Sequence, residues 1–556
     1  MKVYNVGPVP AISAIWEQLG IGRILDSVLK WDPKQCKLSP ALRLKAIVIN
    51  ILAGRTPLVS VQRFFRYQDL GNLFGEGVSW EDLNNDCLAR ALDKLAEANP
   101  KKVVSSVILQ ALGIEGVDIT HIHSDTTSIS VYGRYENIED DGFIQLVYGH
   151  SKDHRPDLKQ LKVGLGVNQD GLPVIGEALS GNKDDKTWNN EFISTLLSHF
   201  NKVDLESIIY VSDSSLITKT NLKKLKDKLF FISRLPSTFG LEKDLIELSW
   251  KKDKWEYIGR VSDQKHAAEY KIQCFVRTID NNPYKFVVVH SSKLDRRKTK
   301  SVEKKINSLK KQLEKAVKAL NKREFACEAD AVKACSIFEK QHQNPFYSLD
   351  FEVVKITRPQ KKGPGRPSKN YKPQMETVYK AKCDIGSINE VAKQKAMEQA
   401  SCFVLITNKL DKPGEEILRE YKRQSAVETS FKFLKSPVFL DAIYLKKPKR
   451  IEALTYVMII ALLIYKIIEK RARKALEAEK SFVTAPGKIK IQKPTGNRIL
   501  ELLSPFQVAI INEGSKKYRV IPDIPNEESL DRILGLLGLT RDVYVVARKS
   551  LLRLLE

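Results

Sequence analysis

The sequence predicts an α/β protein: a mixed sheet with flanking helices, preceded by an all-α region and interrupted by an insertion of β-strands and coiled-coil-like helices. Three observations carry that reading. The apolar period falls from about 3.6 to about 2 near residue 116. Strands and helices then alternate in an order that allows a crossover connection. The alternation stops near residue 236 and resumes near residue 401.

Residues 1–115 read as a helical N-terminal DNA-binding domain. "LSPALRLKAIVINILAG" has helical apolar spacing and ends at Gly54, a residue suited to a left-handed stop, while Thr56-Pro57 opens a second helix through "LVSVQRFFRYQDL". Two helices joined by a tight glycine turn predict a helix-turn-helix, with Arg55, Arg63 and Arg66 as a basic face for a major groove. A plain helical bundle is the alternative. In "SWEDLNNDCLARALDKLAEA", Ser79 and Asp82 are spaced as a capping box.

Residues 116–235 form the first part of the α/β core. "VDITHIHSDTTSISVYG", "LKQLKVGLGV" and "LPVIGEALSG" read as strands, the last two joined by the hairpin signal "NQDG". The helix "TWNNEFISTLLSHF" follows, then the strand "SIIYVSDSS", the helix "TNLKKLKDK" and the strand "LFFISRLP". A right-handed crossover sets the fourth strand beside and parallel to the first. Asp125 and Asp213 then become neighbours, Asp213 at the carboxyl end of its strand, where open α/β sheets keep their sites.

Residues 236–400 are the insertion. Its long basic helix carries Val302, Ile306, Leu309, Leu313, Ala316 and Leu320 in steps of four and three, a short coiled-coil pattern. That face has two possible covers: the segment "EADAVKACSIFEKQ" or another subunit. Residues 401–470 return to the core with "CFVLITN", the helix "YKRQSAVETSFKFLK" and the apolar run "ALTYVMIIALLIY", which is too short to span a bilayer and reads as a core helix. Residues 471–556 read as a C-terminal helical region.

Composition points to a polyanion. Lys and Arg number 92 against 67 Asp and Glu, a net charge of +25, with 42% hydrophobic residues to build several cores. Seven scattered cysteines without a CxxC pair suit reduced thiols, and the N-terminus lacks a signal-peptide pattern, so the expected location is cytoplasmic.

Asp125, Asp213 and Glu428 are the candidate catalytic acids and metal ligands. Carboxylate oxygens suit Mg2+ or Mn2+, and three of them can hold two ions about 3.5–4 Å apart for an in-line phosphodiester displacement. In the last helix Tyr421, Glu428 and Lys435 are seven apart, two helical turns with about 20° of drift, and so fall in one stripe. Val427, Phe431 and Leu434 put an apolar face beside Glu428. His121, His123 and Asp125 alternate onto one strand face, and HxH also suits a barrel-type metal hydrolase; eight histidines in all and no visible barrel repeat weigh against it.

These residues resemble the transposases of bacterial insertion sequences that carry a DDE triad on a ribonuclease-H-like fold, with an insertion before the Glu and the "YREK" signature. Tyr421, Glu428 and Lys435 match the signature spacing; "HSDTTSISVYG" is similar to the first-Asp strand, and "YGHSKDHRPDLKQ" and "GNKDDKTWNN" to the motifs that follow it. The resemblance runs from about 20 to 470. The Arg position falls on Gln424, with Arg423 one residue earlier, and Ser214-Ser215 replaces an Arg-Gly-like continuation. The resemblance implies cleavage at the element's ends to free a 3′-hydroxyl, followed by its attack on target DNA. It also implies two Mg2+ or Mn2+ ions on the acid triad, double-stranded DNA (ends and target) as partner, and a homodimer or higher multimer on paired ends. Lys435 would contact end phosphate, and Tyr421 the backbone or a base.

Further DNA contacts come from the residues themselves. His154, Arg155 and Lys159 offer charge to phosphates, and Gly365-Arg366-Pro367 is similar to a minor-groove hook. "LKKPKRIEAL" is a basic approach to the apolar helix. Two alternatives stand beside the transposase: a non-catalytic DNA-binding derivative, and a metal nuclease without strand transfer.

Overall fold

Local signals and their partners can be followed in a computed structural model, which describes residues 1–556 apart from 133–134, 136–141, 150, 152–154, 201, 263–265, 294–295, 361–371, 373, 436–444, 446, 515, 524–527, 549–551 and 553–556. The chain divides into two units. The first comprises Met1–Ser233, Thr407–Lys409 and Glu420–Glu556; the second comprises Arg234–Ile406 and Leu410–Arg419.

The first unit opens with a short strand, β1 (Lys2–Tyr4), and a group of helices. Helix Pro40–Ile49 is started by Ser39, whose hydroxyl accepts from the Leu42 N–H, with Pro40 at the first turn. It runs on as a wider turn, Asn50–Gly54, and stops at Arg55, which takes the left-handed conformation (φ 49°). The single second helix expected after Thr56-Pro57 is instead a 3-10 turn at Leu58–Ser60 and a five-residue helix at Val61–Phe65. Bonds of i→i+3 type, Tyr67 N–H to Phe64 O and Gln68 N–H to Phe65 O, close it early. The Ser79/Asp82 capping box is present on the turn Trp80–Leu83, and Asn84 caps helix Asn85–Glu97.

The core strands follow the expected order: β2 (His121–Val131), β3 (Lys159–Val167), β4 (Pro173–Ser180), helix Asp185–His199, helix Lys202–Ser207, β5 (Ile209–Ser212), helix Lys219–Leu225 and β6 (Phe230–Arg234). Within this unit their spatial order is β4–β3–β2–β5–β6. β2, β3 and β4 are antiparallel, whereas β5 lies parallel to β2 and β6 parallel to β5. The β3–β4 hairpin turns at Gly171, with φ 80°, and the Asn168 carboxamide accepts from the Asp170 and Leu172 N–H groups.

The second unit holds helix Gly240–Lys252, β7 (Glu256–Arg260), β8 (Glu269–Ile279), β9 (Asn282–Ser291), helix Arg296–Asn321, β10 (Glu324–Phe325), helix Glu328–Gln341, β11 (Tyr347–Pro359), β12 (Met375–Ile388), helix Glu390–Ala400 and β13 (Cys402–Thr407). Its strands run β13–β9–β8–β7 and β10–β12–β11. The cover of the long helix is now defined. Val317 and Leu320 cluster with Cys335 and Phe338 of the neighbouring helix and with Ala381 and Cys383 of β12, while Ile306 and Leu313 pack with Tyr347 of β11.

The chain re-enters the first unit during helix Gly414–Lys422 and continues through helix Ser425–Leu434 and helix Pro448–Ala478. The last is long and apolar enough to cross a membrane by length and composition, yet 89% of its apolar window is buried inside the protein, as a core helix requires. The C-terminal region is not wholly helical as expected. It contains β14 (Val483–Ala485), β15 (Ile489–Ile491), β16 (Val508–Glu513) and β17 (Lys516–Val520) between its helices, and β16 pairs with both β1 and β17. The β16–β17 hairpin turns at Gly514, whose φ is 60°, and the adjoining strands are apolar only at one end, which hid their period.

Candidate active site

In the parallel pair β2/β5, His121 stands level with Ile209 and His123 with Val211. The same register continued by two residues brings Asp125 level with Asp213. Asp213 ends its strand because its side chain takes over the next turn: its Oδ1 accepts from the Ser215 N–H (3.0 Å) and from the Ser215 hydroxyl (2.5 Å), capping Ser214–Leu216. Asp125 is half-buried, and its Oδ1 accepts from the Thr126 N–H at 2.7 Å. Buried Tyr210 lies within the field of both. Burial, and with it the charges of Asp213 and Asp125, raises the phenol pKa against the hydrogen bonds of Ser124 and Ser212.

Alternation gives the two faces of this sheet different work. Ser124 and Thr126 share a face with Gly166 and Gly164, their partners on β3. Helix Asp185–His199 covers that face. A Cβ on Gly164 would come within 2.4 Å of the Trp188 ring, and one on Gly166 within 2.4 Å of Phe192. Two bare positions on the strand therefore seat two aromatic rings of the helix, and the Phe192 ring stacks in turn on Tyr210 at 5.4 Å.

Seated this way, the helix turns Asp185 and Asn189, four residues apart, toward Thr126, Tyr210, Ser212 and Ser215, the neighbours of Asp125 and Asp213. Asn189 is buried and uses both ends of its carboxamide. Its Oδ1 accepts from the Tyr210 hydroxyl (2.6 Å) and the Ser212 hydroxyl (3.2 Å); its Nδ2 donates to Ser215 Oγ (2.7 Å) and to Asp185 O (3.1 Å). Ser215 is the residue that holds Asp213. Asp185 Oδ1 accepts from the Thr126 hydroxyl (2.7 Å) and from Lys162 Nζ (3.1 Å). A continuous polar chain thus runs from Asp213 through Ser215, Asn189 and Asp185 to Thr126, next to Asp125. Sequence reasoning assigned no role to Asp185, Asn189 or Ser215, although "GNKDDKTWNN" carries the signal: two polar residues at i, i+4 flanking a tryptophan.

His123 and Asp125 project from the opposite face. There the buried Glu420 carboxylate meets His123 Nε2 at 3.0 Å and His121 Nε2 at 3.8 Å, and its other oxygen accepts from Arg423 at 3.1 Å. Burial works to raise the Glu420 pKa, but the His123 hydrogen bond and the charges of His121, His123 and Arg423 outweigh it and hold the group below its ordinary value. Glu420 too was unassigned from sequence.

The stretch from Tyr421 to Lys435 is not one helix, contrary to expectation. It breaks between Lys422 and Ser425, where Arg423 N–H bonds to Glu420 O, Gln424 N–H to Tyr421 O and Val427 N–H to Gln424 O, all i→i+3. Each such step turns the chain by about 120° rather than about 100°, so the seven-residue stripe is lost and Tyr421 sits on a different helix from Glu428. Helix Ser425–Leu434 packs against β2 and β3, buries Val427, Phe431 and Leu434, and leaves Glu428 exposed in its first turn. Ser430 Oγ anchors it to Gly171 O at 3.3 Å.

The other candidates are dispersed. Exposed Arg155 pairs with Asp157 at 2.7 Å, and Lys159 Nζ donates to Tyr135 O at 2.7 Å. Exposed Arg66 lies over the Trp80 ring, Arg63 is exposed, and Arg55 bonds to Asn497. Gln424 caps helix Ser425–Leu434 through its backbone alone, and Lys435 ends it. His154 and Arg366 lie outside the described residues.

Asp125 and Asp213 are hard-oxygen donors of the kind that fit Mg2+ or Mn2+. Among the described residues no group of three or more His, Cys, Asp or Glu side chains is gathered closely enough to hold a metal ion, so Glu428 does not complete the pair in this conformation.

Comparison with protein-family models gives two matches. One, described as a transposase DDE domain, covers residues 118–464, well over half of the chain; the other, a domain of unknown function (DUF4277), covers residues 1–109. No curated protein matches the sequence.

Proposed function

Since this chain belongs to the transposase DDE domain family, we propose that it cleaves DNA at the ends of its element and joins the freed 3′-hydroxyl to target DNA, both by phosphoryl transfer at one site. The observation that supports the proposal is the parallel pairing of β2 and β5, seen as far as His123 and Val211 inside the matched region; two further residues along the same register lead to Asp125 and Asp213. Two divalent ions, Mg2+ or Mn2+, would supply positive charge to the attacking and leaving oxygens. Asp125 and Asp213 would hold them. Glu428 is the third acid of the proposal; its helix packs on β2, the strand of Asp125.

The chain's own residues then divide the work. Ser215 holds Asp213, and Asn189 and Asp185 brace Ser215 and Thr126, the residue next to Asp125, from behind the sheet. The Glu420–His123 contact ties the helix bearing Tyr421 to the strand bearing Asp125. Tyr421, Arg423, Gln424 and Lys435 are proposed to grip the DNA end in the manner of the YREK subtype. Arg155, Lys159, Arg63 and Arg66 are proposed as further phosphate contacts, the last two on an N-terminal region that reads the ends. Joining two ends at one target calls for a dimer or higher multimer on DNA.

The test supplies pre-cleaved ends with a free 3′-hydroxyl, a target plasmid and Mg2+ or Mn2+. Joined product is expected. Cleavage of intact ends without joining would replace the proposal by a metal nuclease.

A second result belongs to the support behind the sheet. Asn189→Ala should lower metal-dependent cleavage by roughly 10–100-fold and raise the metal concentration needed for half-maximal rate, as loss of an outer-shell partner does. A normal metal titration with a lowered melting temperature alone would reduce Asn189 to a packing residue.

A further inference from the structure

Helix Arg296–Asn321 carries ten basic residues against two acidic ones. At about 100° per residue its buried Ile306, Leu313, Val317 and Leu320 fall on one arc, the arc covered by β11, β12 and the neighbouring helix. Lys300, Lys304, Lys311, Lys315 and Lys318 fall within an arc of about 60° on the directly opposite side. All five are exposed, and among the described residues none of them makes an ion pair or a side-chain hydrogen bond.

A merely solvated helix face intersperses both signs, which offsets repulsion between neighbours three and four residues apart. Here Lys300/Lys304 and Lys311/Lys315 are like-charged i, i+4 pairs, and Lys315/Lys318 an i, i+3 pair. Glu303 and Glu314 flank the ridge on one side instead of alternating within it. Glu303, three residues after Lys300, and Glu314, three after Lys311 and four before Lys318, offset part of this repulsion; the excess of positive charge left along the ridge is what a polyanion would neutralise. From Lys300 to Lys318 the ridge is straight and about 27 Å long, the rise of about eight base pairs of duplex DNA.

We infer that this lysine ridge is a binding track for the phosphate backbone of double-stranded DNA, read without regard to sequence. The inference rests on the proposed action on DNA and adds a site carried by the second unit, on residues given no role above. Five point charges on flexible stems suit a repeating row of phosphates; they supply no planar fork for a base edge.

The experiment uses the full chain, a random-sequence duplex of about 20 base pairs and EDTA, so that binding is read without cleavage. For the triple variant Lys304→Gln, Lys311→Gln, Lys315→Gln, the slope of log K against log salt should become shallower by about 2.7, and affinity near 0.15 M salt should fall roughly a hundredfold. Gln keeps helix propensity and removes repulsion, so the melting temperature should hold or rise. If the triple variant does not fold, Lys311→Gln alone should lower the slope by about 0.9. An unchanged slope overturns the track, as does wild-type preference for an RNA duplex of the same length that the variant loses. The two proposals fail separately: an unchanged slope with intact strand transfer removes the track alone, and an altered slope in a protein that joins no ends removes the transposase reading alone.

Discussion

Asp125→Asn and Asp213→Asn should each leave the protein folded and reduce metal-dependent DNA cleavage by about 10³-fold or more. On the proposed mechanism the neutral carboxamide gives up a metal ligand that would share several kcal/mol of charge stabilisation in the transition state. The fold survives because Asn keeps an acceptor oxygen where it is used: Thr126 N–H for residue 125, Ser215 N–H and hydroxyl for residue 213. Melting temperature and cleavage of end-containing DNA, measured side by side, separate charge from structure. Full activity in Asp125→Asn would falsify the catalytic assignment and leave a DNA-binding derivative. Glu428→Gln is the companion variant. Its loss of activity, set against the exposed position of Glu428, would mean that DNA draws the helix Ser425–Leu434 toward the two aspartates.

Trp188→Ala is expected to be the most destabilising single change in the core, by about 3–5 kcal/mol, from lost burial and the cavity left behind. Trp188 is 1% exposed and fills the space above Gly164. The effect should not stop at stability, since the same helix carries Asp185 and Asn189, which hold Thr126 and Ser215 beside Asp125 and Asp213. A partner experiment isolates the mechanism. Gly164→Ala alone should cost about 1–3 kcal/mol through overpacking, because its Cβ meets the indole at 2.4 Å. In the Trp188→Ala background it should cost little or become favourable, since the ring it strikes is gone. Strict additivity in denaturant unfolding would mean that the two residues do not share a cavity.

Much of the core was legible because its signals are short-ranged. The "NQDG" hairpin, the Ser79/Asp82 box and the strand order of 121–234 depend on neighbours in sequence and on the hand of a crossover. They yield β2 and β5 side by side and parallel. What stayed hidden depends on pairing. Asp185 and Asn189 look like ordinary solvent-facing polar residues until Gly164 and Gly166 are seen across from Thr126 and Ser124. The break at Arg423–Gln424 leaves no mark in the apolar pattern, because Val427, Phe431 and Leu434 are as well spaced after a 3-10 turn as after an α-turn. The expected recognition helix failed likewise: Val61 and Phe65 are buried in a single short helix, whose length is set by closing bonds that periodicity does not encode.

The interleaving of the two units has a consequence for the order in which the protein is made. The second unit is drawn from one stretch of chain apart from its last ten residues. The first unit must wait. His123 meets Glu420 across 297 residues, and the Tyr544 hydroxyl closes on Gly7 O across 537. Synthesis proceeds at about 5–20 residues per second, so the strand bearing Asp125 leaves the ribosome many seconds before its partner helix exists. Folding of the first unit is therefore completed only after Tyr544 has been made, and until Glu420 is made β2 has no cover from it. A chain grown only as far as residue 419 holds every residue of the second unit but not those of the first.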